Sequence, residues 1–85
     1  MILTLPPIDP LDAALGERVR RVREARGLSQ KELAEAMGLS RERLALAERG
    51  RQRLDSSALH RATLKLRVPT RLLFDQADLS ALRPL

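Results

Sequence analysis

Three times in this chain a leucine, a small polar residue, three mixed residues and a second leucine follow one another. The stretches are Leu28-Ser29 to Leu33, Leu39-Ser40 to Leu44, and Leu54-Asp55 to Leu59. Each fits the start of a helix. The oxygen of Ser29, Ser40 or Asp55 accepts a hydrogen bond from an N–H of the first turn, which has no partner within the helix. The leucine before the cap packs on the leucine one turn inside, a hydrophobic staple. Ser29 and Glu32 also have the spacing of a capping box, with Glu32 reaching back to the cap. Helices therefore start at three defined points, which confines the chain to short helices joined by tight turns.

The remaining signals extend this pattern. Pro6, Pro7 and Pro10 exclude a helix over residues 1–11, so a short extended N-terminal arm is expected there. A first helix is expected from Asp12 to Arg26, with Leu15, Val19 and Val22 inward and Gly27 just past its end. The second covers Gln30–Met37 and ends at Gly38; the third covers Arg41–Glu48 and ends at Gly50. The fourth is Ser56–Leu66, with Leu59, Ala62, Thr63 and Leu66 inward. Pro69 suits a first helical turn and opens a fifth helix through Leu72, Leu73 and Phe74. The expected class is all-α: an arm at 1–11, a helical domain at 12–75 and a tail at 76–85.

Composition excludes several functions. The chain of 85 residues allows one small core. It has no cysteine, so no disulfide or thiolate metal site forms, and the absence fits a reducing cytoplasm. A single histidine, His60, is too little for a metal cluster; it reads as a surface or satisfied side chain, and no metal or cofactor is expected. No apolar run approaches the roughly 20 residues that span a bilayer, so no membrane partner is expected. The opening MILTLPPIDP lacks the basic region of a signal peptide. The net charge of +5 is concentrated: Glu17 to Asp55 holds eleven Lys and Arg against seven carboxylates. That field suits a polyanionic partner.

Only Gly38, Leu39 and Ser40 separate the second and third helices, a linkage that sets two helices at a steep angle as a helix-turn-helix. Here the chain resembles the Cro/C1-type helix-turn-helix proteins, the XRE family of phage and bacterial repressors. The matching residues are LGERVRRVREARGLSQKELAEAMGLS (15–40), ERG (48–50) and LKLRVPTRLLF (64–74), within Leu15 to Phe74. The resemblance implies a five-helix lambda-repressor-like DNA-binding domain whose third helix enters the major groove. It implies that Gln30 binds a DNA phosphate, that Ala34 and Gly38 let two helices cross closely, and that Arg23 and Glu48 form a structural ion pair. The chain departs from the family at four places. Arg53-Leu54 replaces Asn-Pro, and Arg67 stands where glycine ends the fourth helix. Ala47 replaces a larger apolar residue, so core volume must come from elsewhere, and Leu46 replaces a polar reader.

At about 100° per residue, the third helix places Leu44, Ala47 and Glu48 on one face. Glu42, Leu46 and Arg49 oppose it, flanked by Arg43 and Ala45. Leu44 is stapled and Ala47 is apolar, so theirs is the core face. Glu48, one turn beyond Leu44, needs a partner there, and Arg23, one turn beyond Val19 on the first helix, is the candidate. Arg41, Glu42 and Arg43 form the first turn, the part of a recognition helix that reaches base edges. Arginine pairs with guanine, and glutamate accepts from cytosine N4. Ala45 and Leu46 complete the base-reading set; Leu46 meets a thymine methyl, faces a protein partner, or is merely exposed. Arg49, Arg51 and Arg53, together with Gln30, are expected at phosphates. Glu32 reads as a cap and Glu35 as a solvated residue.

Leu72, Leu73 and Phe74 are consecutive, so a helix points them in three directions. With Leu79 and Leu82 they are expected to form an interface between two copies, which would set two recognition helices about one DNA turn apart. The leading expectation is a transcriptional regulator of double-stranded DNA: a repressor acting as a homodimer on a palindromic operator. The alternative is an antitoxin or adaptor that binds its own operator and holds a toxin or other protein through its arm or tail. An enzyme is not expected, because no nucleophile–base pair and no phosphate-cradling loop occur. Phe74 is the sole aromatic residue, too few for single-strand stacking.

Overall fold

The structure, a computed structural model, describes residues 9–73. Four helices follow in order: α1 (Pro10–Ala25), α2 (Gln30–Met37), α3 (Arg41–Glu48) and α4 (Ser56–Leu66). Residues 70–73 begin a fifth, just after Pro69. All three caps form. Ser29 Oγ accepts from Glu32 N at 3.0 Å while Glu32 Oε1 accepts from Ser29 N at 2.8 Å, closing the capping box. Ser40 Oγ accepts from Arg43 N at 3.1 Å, and Asp55 Oδ1 from Ala58 N at 2.7 Å. The Ser29 backbone N–H, then its hydroxyl, holds the Glu32 carboxyl below the usual range.

The first helix starts earlier than the prolines suggested. Pro10 is its first residue, and Asp9 caps it by accepting from Leu11 N at 2.8 Å. A proline breaks a helix interior because it lacks an N–H; at the first position that N–H would have no intrahelical partner. Residues 10 and 11 therefore belong to the helix. Residues 1–8 of the expected arm lie outside the described residues, as do Phe74 and the tail.

Val19, Leu33, Met37, Leu44, Leu66 and Leu73 are fully buried. Each contributes about 1.5–3 kcal/mol through lost apolar surface. Leu15, Val22, Leu28 and Leu39 are partly buried and pack against this cluster. The inward residues of α4 (Leu59, Ala62, Thr63, Leu66) are buried as their spacing required. The turn after α2 runs through Gly38 at φ 76°, a left-handed conformation that glycine adopts without steric cost. It swings α3 across α2, and α1 closes over α3. Ala47 itself is buried, and α1 lies close against the backbone of α3 at this point. A β-carbon on Gly16 of α1 would overlap the Ala47 carbonyl oxygen, so α1 and α3 meet at a distance only glycine permits.

Two residues behave unlike their sequence context. Arg67 ends α4 at φ 59°, ψ 47°, the left-handed region that glycine would enter freely. Its carbonyl accepts from Arg26 Nη2 at 3.3 Å. Arg67→Gly is expected to raise stability by about 0.5–1 kcal/mol, the relief of strain less the extra freedom of glycine in the unfolded chain. Thermal melts should show a midpoint a few degrees higher; a lower midpoint would mean the arginine side chain outweighs the strain. Leu73, expected between two copies, is instead fully buried in this chain's own core. Among the described residues, no helix is long and apolar enough to cross a membrane.

Candidate nucleic-acid interface

Ser40 fixes where α3 begins, and that start sets which way every later side chain points. Leu44, Ala47 and Glu48 are buried, while Arg41, Glu42, Arg43, Leu46 and Arg49 are exposed and Ala45 is half-buried. Leu46 keeps 38% of its surface in water. Among the described residues, no ion pair forms at the side chains of Arg41, Glu42, Arg43 or Arg49. Three cations and a carboxylate thus stand along one side of a short helix.

Beneath that face lies a buried polar contact. Arg23 Nε donates to Glu48 Oε2 at 2.7 Å, and Arg23 Nη2 to Glu48 Oε1 at 3.1 Å. Their side chains are 10% and 2% exposed, so this pair is withdrawn from water. Arg23 Nη1 also donates to the Leu28 carbonyl at 2.8 Å, which ties α1 to the start of α2. Gln30 joins the same carboxylate, its Nε2 donating to Glu48 Oε1 at 2.9 Å. Sequence spacing pointed to the Arg23 partner and missed the Gln30 one. No local signal could find it, because the two residues lie 18 positions apart.

The expected phosphate residues differ in their surroundings. Arg49 is exposed, and with Gln30 and Ala45 it lines a groove between α1 and α3. Arg51 is half-buried, its backbone N–H bonded to the Leu46 carbonyl at 2.9 Å. Arg53 is 73% exposed and lies beside two carboxylates of the α1 start, Asp12 at 3.3 Å and Asp9 at 3.5 Å. Such exposed pairs are worth about 0–1 kcal/mol, so a phosphate can take the guanidinium over. On the α1 side, Glu17 Oε2 accepts from Arg20 at 2.7 Å and from Arg21 at 3.0 Å. Those hydrogen bonds, Arg20 first, hold the Glu17 carboxyl below its usual range. Cations of α1 are thus tied up in ion pairs, whereas Arg41 and Arg43 of α3 form none among the described residues.

Of the residues expected between copies, Leu72 is 36% exposed, Leu73 is buried, and Phe74, Leu79 and Leu82 lie outside the described residues. Consecutive helical residues point about 100° apart, so the core can accept Leu73 only by turning Leu72 outward. Leu64, on the outer face of α4, is 65% exposed and was not singled out by its pattern.

A family model described as a helix-turn-helix domain matches residues 14–74, which take in most of α1 and all of α2, α3 and α4. This chain belongs to the helix-turn-helix domain family. Solved structures agree. The chain is similar to the restriction-modification controller protein C.AhdI from Aeromonas hydrophila, with 33% identity and a TM-score of 0.70. That match covers 74% of this chain and 96% of C.AhdI. It is similar to the clp gene regulator ClgR from Corynebacterium glutamicum at 33% identity and a TM-score of 0.79, over 91% of this chain and 83% of ClgR. A hypothetical transcription factor, NHTF from Neisseria, is 30% identical, with a TM-score of 0.70, over 96% of this chain and 97% of NHTF. A search of curated proteins returned no match. In this helix-turn-helix domain α2 and α3 are the paired helices, and the outward side of α3 carries Arg41, Glu42, Arg43 and Leu46.

Proposed function

We propose that this chain is a transcriptional regulator that binds specific double-stranded DNA, a repressor acting as a homodimer on a palindromic operator in the cytoplasm. One observation carries the reading: α3 turns Arg41, Glu42, Arg43, Leu46 and Arg49 outward without intramolecular ion pairs among the described residues. A capped helix with an open charged first turn is the form that a major-groove reader takes. Arg41, Glu42 and Arg43 read base edges, Ala45 and Leu46 meet the groove floor, and Gln30, Arg49, Arg51 and Arg53 hold phosphates. The reading assigns no catalytic step to the chain. The antitoxin alternative depended on the arm and tail, and no observation on the described residues favours it.

Selecting bound duplexes from a random pool tests this directly. A palindromic consensus is expected, together with a light-scattering mass near twice that of the chain. A single non-repeated half-site would defeat the dimer, and an unenriched pool would defeat specific binding. Affinity should fall with salt by roughly 0.9 log unit per log unit for each phosphate that an arginine neutralises. Arg49→Ala is expected to flatten that slope by about one contact and weaken all duplexes alike. Arg41→Ala, by contrast, should relax preference at one base pair, by about 1–3 kcal/mol of discrimination. If Arg49→Ala changes which sequence is preferred, its phosphate assignment is wrong. Of the expected interface residues that are described, the exposed Leu72 and not the buried Leu73 is available to a second copy.

A further inference from the structure

The carboxylate of Glu48 has more partners than an ion pair requires. Both its oxygens accept from Arg23, and Oε1 accepts a third hydrogen bond from the Gln30 side chain. A carboxylate can only accept, so Gln30 must present its NH2 and not its carbonyl. The opposite orientation would set two oxygens against each other. The choice of amide orientation, which a hydrogen-bond network normally decides, is therefore made by Glu48. One Gln30 N–H is spent inward; the second N–H and the carbonyl remain.

That amide stands at a useful place. Gln30 is the first residue of α2, half-buried, and lines the same groove as Ala45 and Arg49 of α3. The Ser29 hydroxyl takes the Glu32 N–H, so what favours a phosphate there is the Arg49 guanidinium together with the N–H groups that precede Glu32 in α2. A long, unheld glutamine would lose rotamer freedom on binding. One already bonded at 2.9 Å to a carboxylate that is 2% exposed has lost that freedom in the free protein. We infer that Glu48 is a positioning residue: through its hydrogen bond to Gln30 Nε2 it pre-sets the amide that meets the DNA backbone, and the buried ion pair serves recognition as well as stability. The inference rests on the DNA-binding reading above.

A structural role and a positioning role separate in the variant Arg23→Met/Glu48→Met. Replacing a buried ion pair by apolar residues of similar volume is often neutral or stabilising, so the fold is expected to survive, while Gln30 loses its anchor. Phosphate contacts act on any duplex, so the probe is a labelled mixed-sequence duplex at fixed low salt, read by fluorescence anisotropy. In the unaltered chain Gln30→Ala is expected to weaken binding by about tenfold, the worth of a hydrogen bond to a charged group. The methionine pair should lose a similar factor although folded, and Gln30→Ala should then cost little more. Wild-type affinity in the methionine pair, or an equal Gln30→Ala loss in both backgrounds, overturns the inference.

Should the methionine pair not fold, NMR of the unaltered chain decides. The Gln30 side-chain amide should be as ordered as the backbone before DNA is added, and its signals should move on addition. A freely moving amide, or one whose signals stay put, overturns the inference. A chain that binds no duplex at all overturns the DNA-binding reading itself, and the inference with it.

Discussion

Glu48→Ala is expected to cost about 3–5 kcal/mol, because it leaves the Arg23 guanidinium buried without its carboxylate. Arg23 is 8% exposed and Glu48 6%, so water can do little to replace either partner. A domain of this size has roughly 0.05–0.15 kcal/mol of stability per residue, so the variant should lie near the edge of folding. Its thermal midpoint should fall by more than about 10 °C. Glu35→Ala, at an exposed position of α2, should change the midpoint little. Comparable small shifts in both variants would show that Glu48 is solvated. The Arg23→Met/Glu48→Met variant completes the comparison: if the single change is severe and the paired change mild, the cost lies in the orphaned charge.

Gly16→Ala sets two physical effects against each other, and their magnitudes decide the sign. Helix propensity alone favours alanine in a helix interior by roughly 0.5–1 kcal/mol. At this site, however, the added methyl would overlap the Ala47 carbonyl oxygen of α3, and the backbone atoms there cannot rotate away. Either α1 shifts, opening space around Val19, or α3 moves and carries its outward residues with it. Overpacking of this kind costs about 1–3 kcal/mol and sometimes more. The net expectation is a loss of about 1–2 kcal/mol, with DNA affinity lowered as well when it is α3 that moves. Denaturant unfolding and duplex binding on one preparation check both. A stabilised Gly16→Ala would mean that the α1–α3 contact is looser than it stands.

The features legible in the chain share one property: they act over a few residues. The caps at Ser29, Ser40 and Asp55 depend on bonds spanning three positions, so a string of residue types was enough to locate them. The faces of α3 follow from helical period once its start is known. The Arg23–Glu48 pair was reachable because an inward carboxylate demands a partner and the family resemblance supplied one. Pro10 departs from the expected arm for a local reason too, since proline excludes a helix interior yet suits its first position.

What the chain determined by itself was where its helices start, which of their sides are apolar, and where the positive charge lies. These follow from hydrogen bonds and periodicities internal to each segment. Tertiary structure decided the rest. It chose Leu73 over Leu72 for the core, because a helix cannot bury two consecutive residues in one direction. It made Gly16 indispensable, because the atom that forbids a side chain there belongs to Ala47, 31 residues away. It also brought Gln30 to a carboxylate already taken by Arg23. Each of these depends on how two separate helices approach, and no single segment carries that distance.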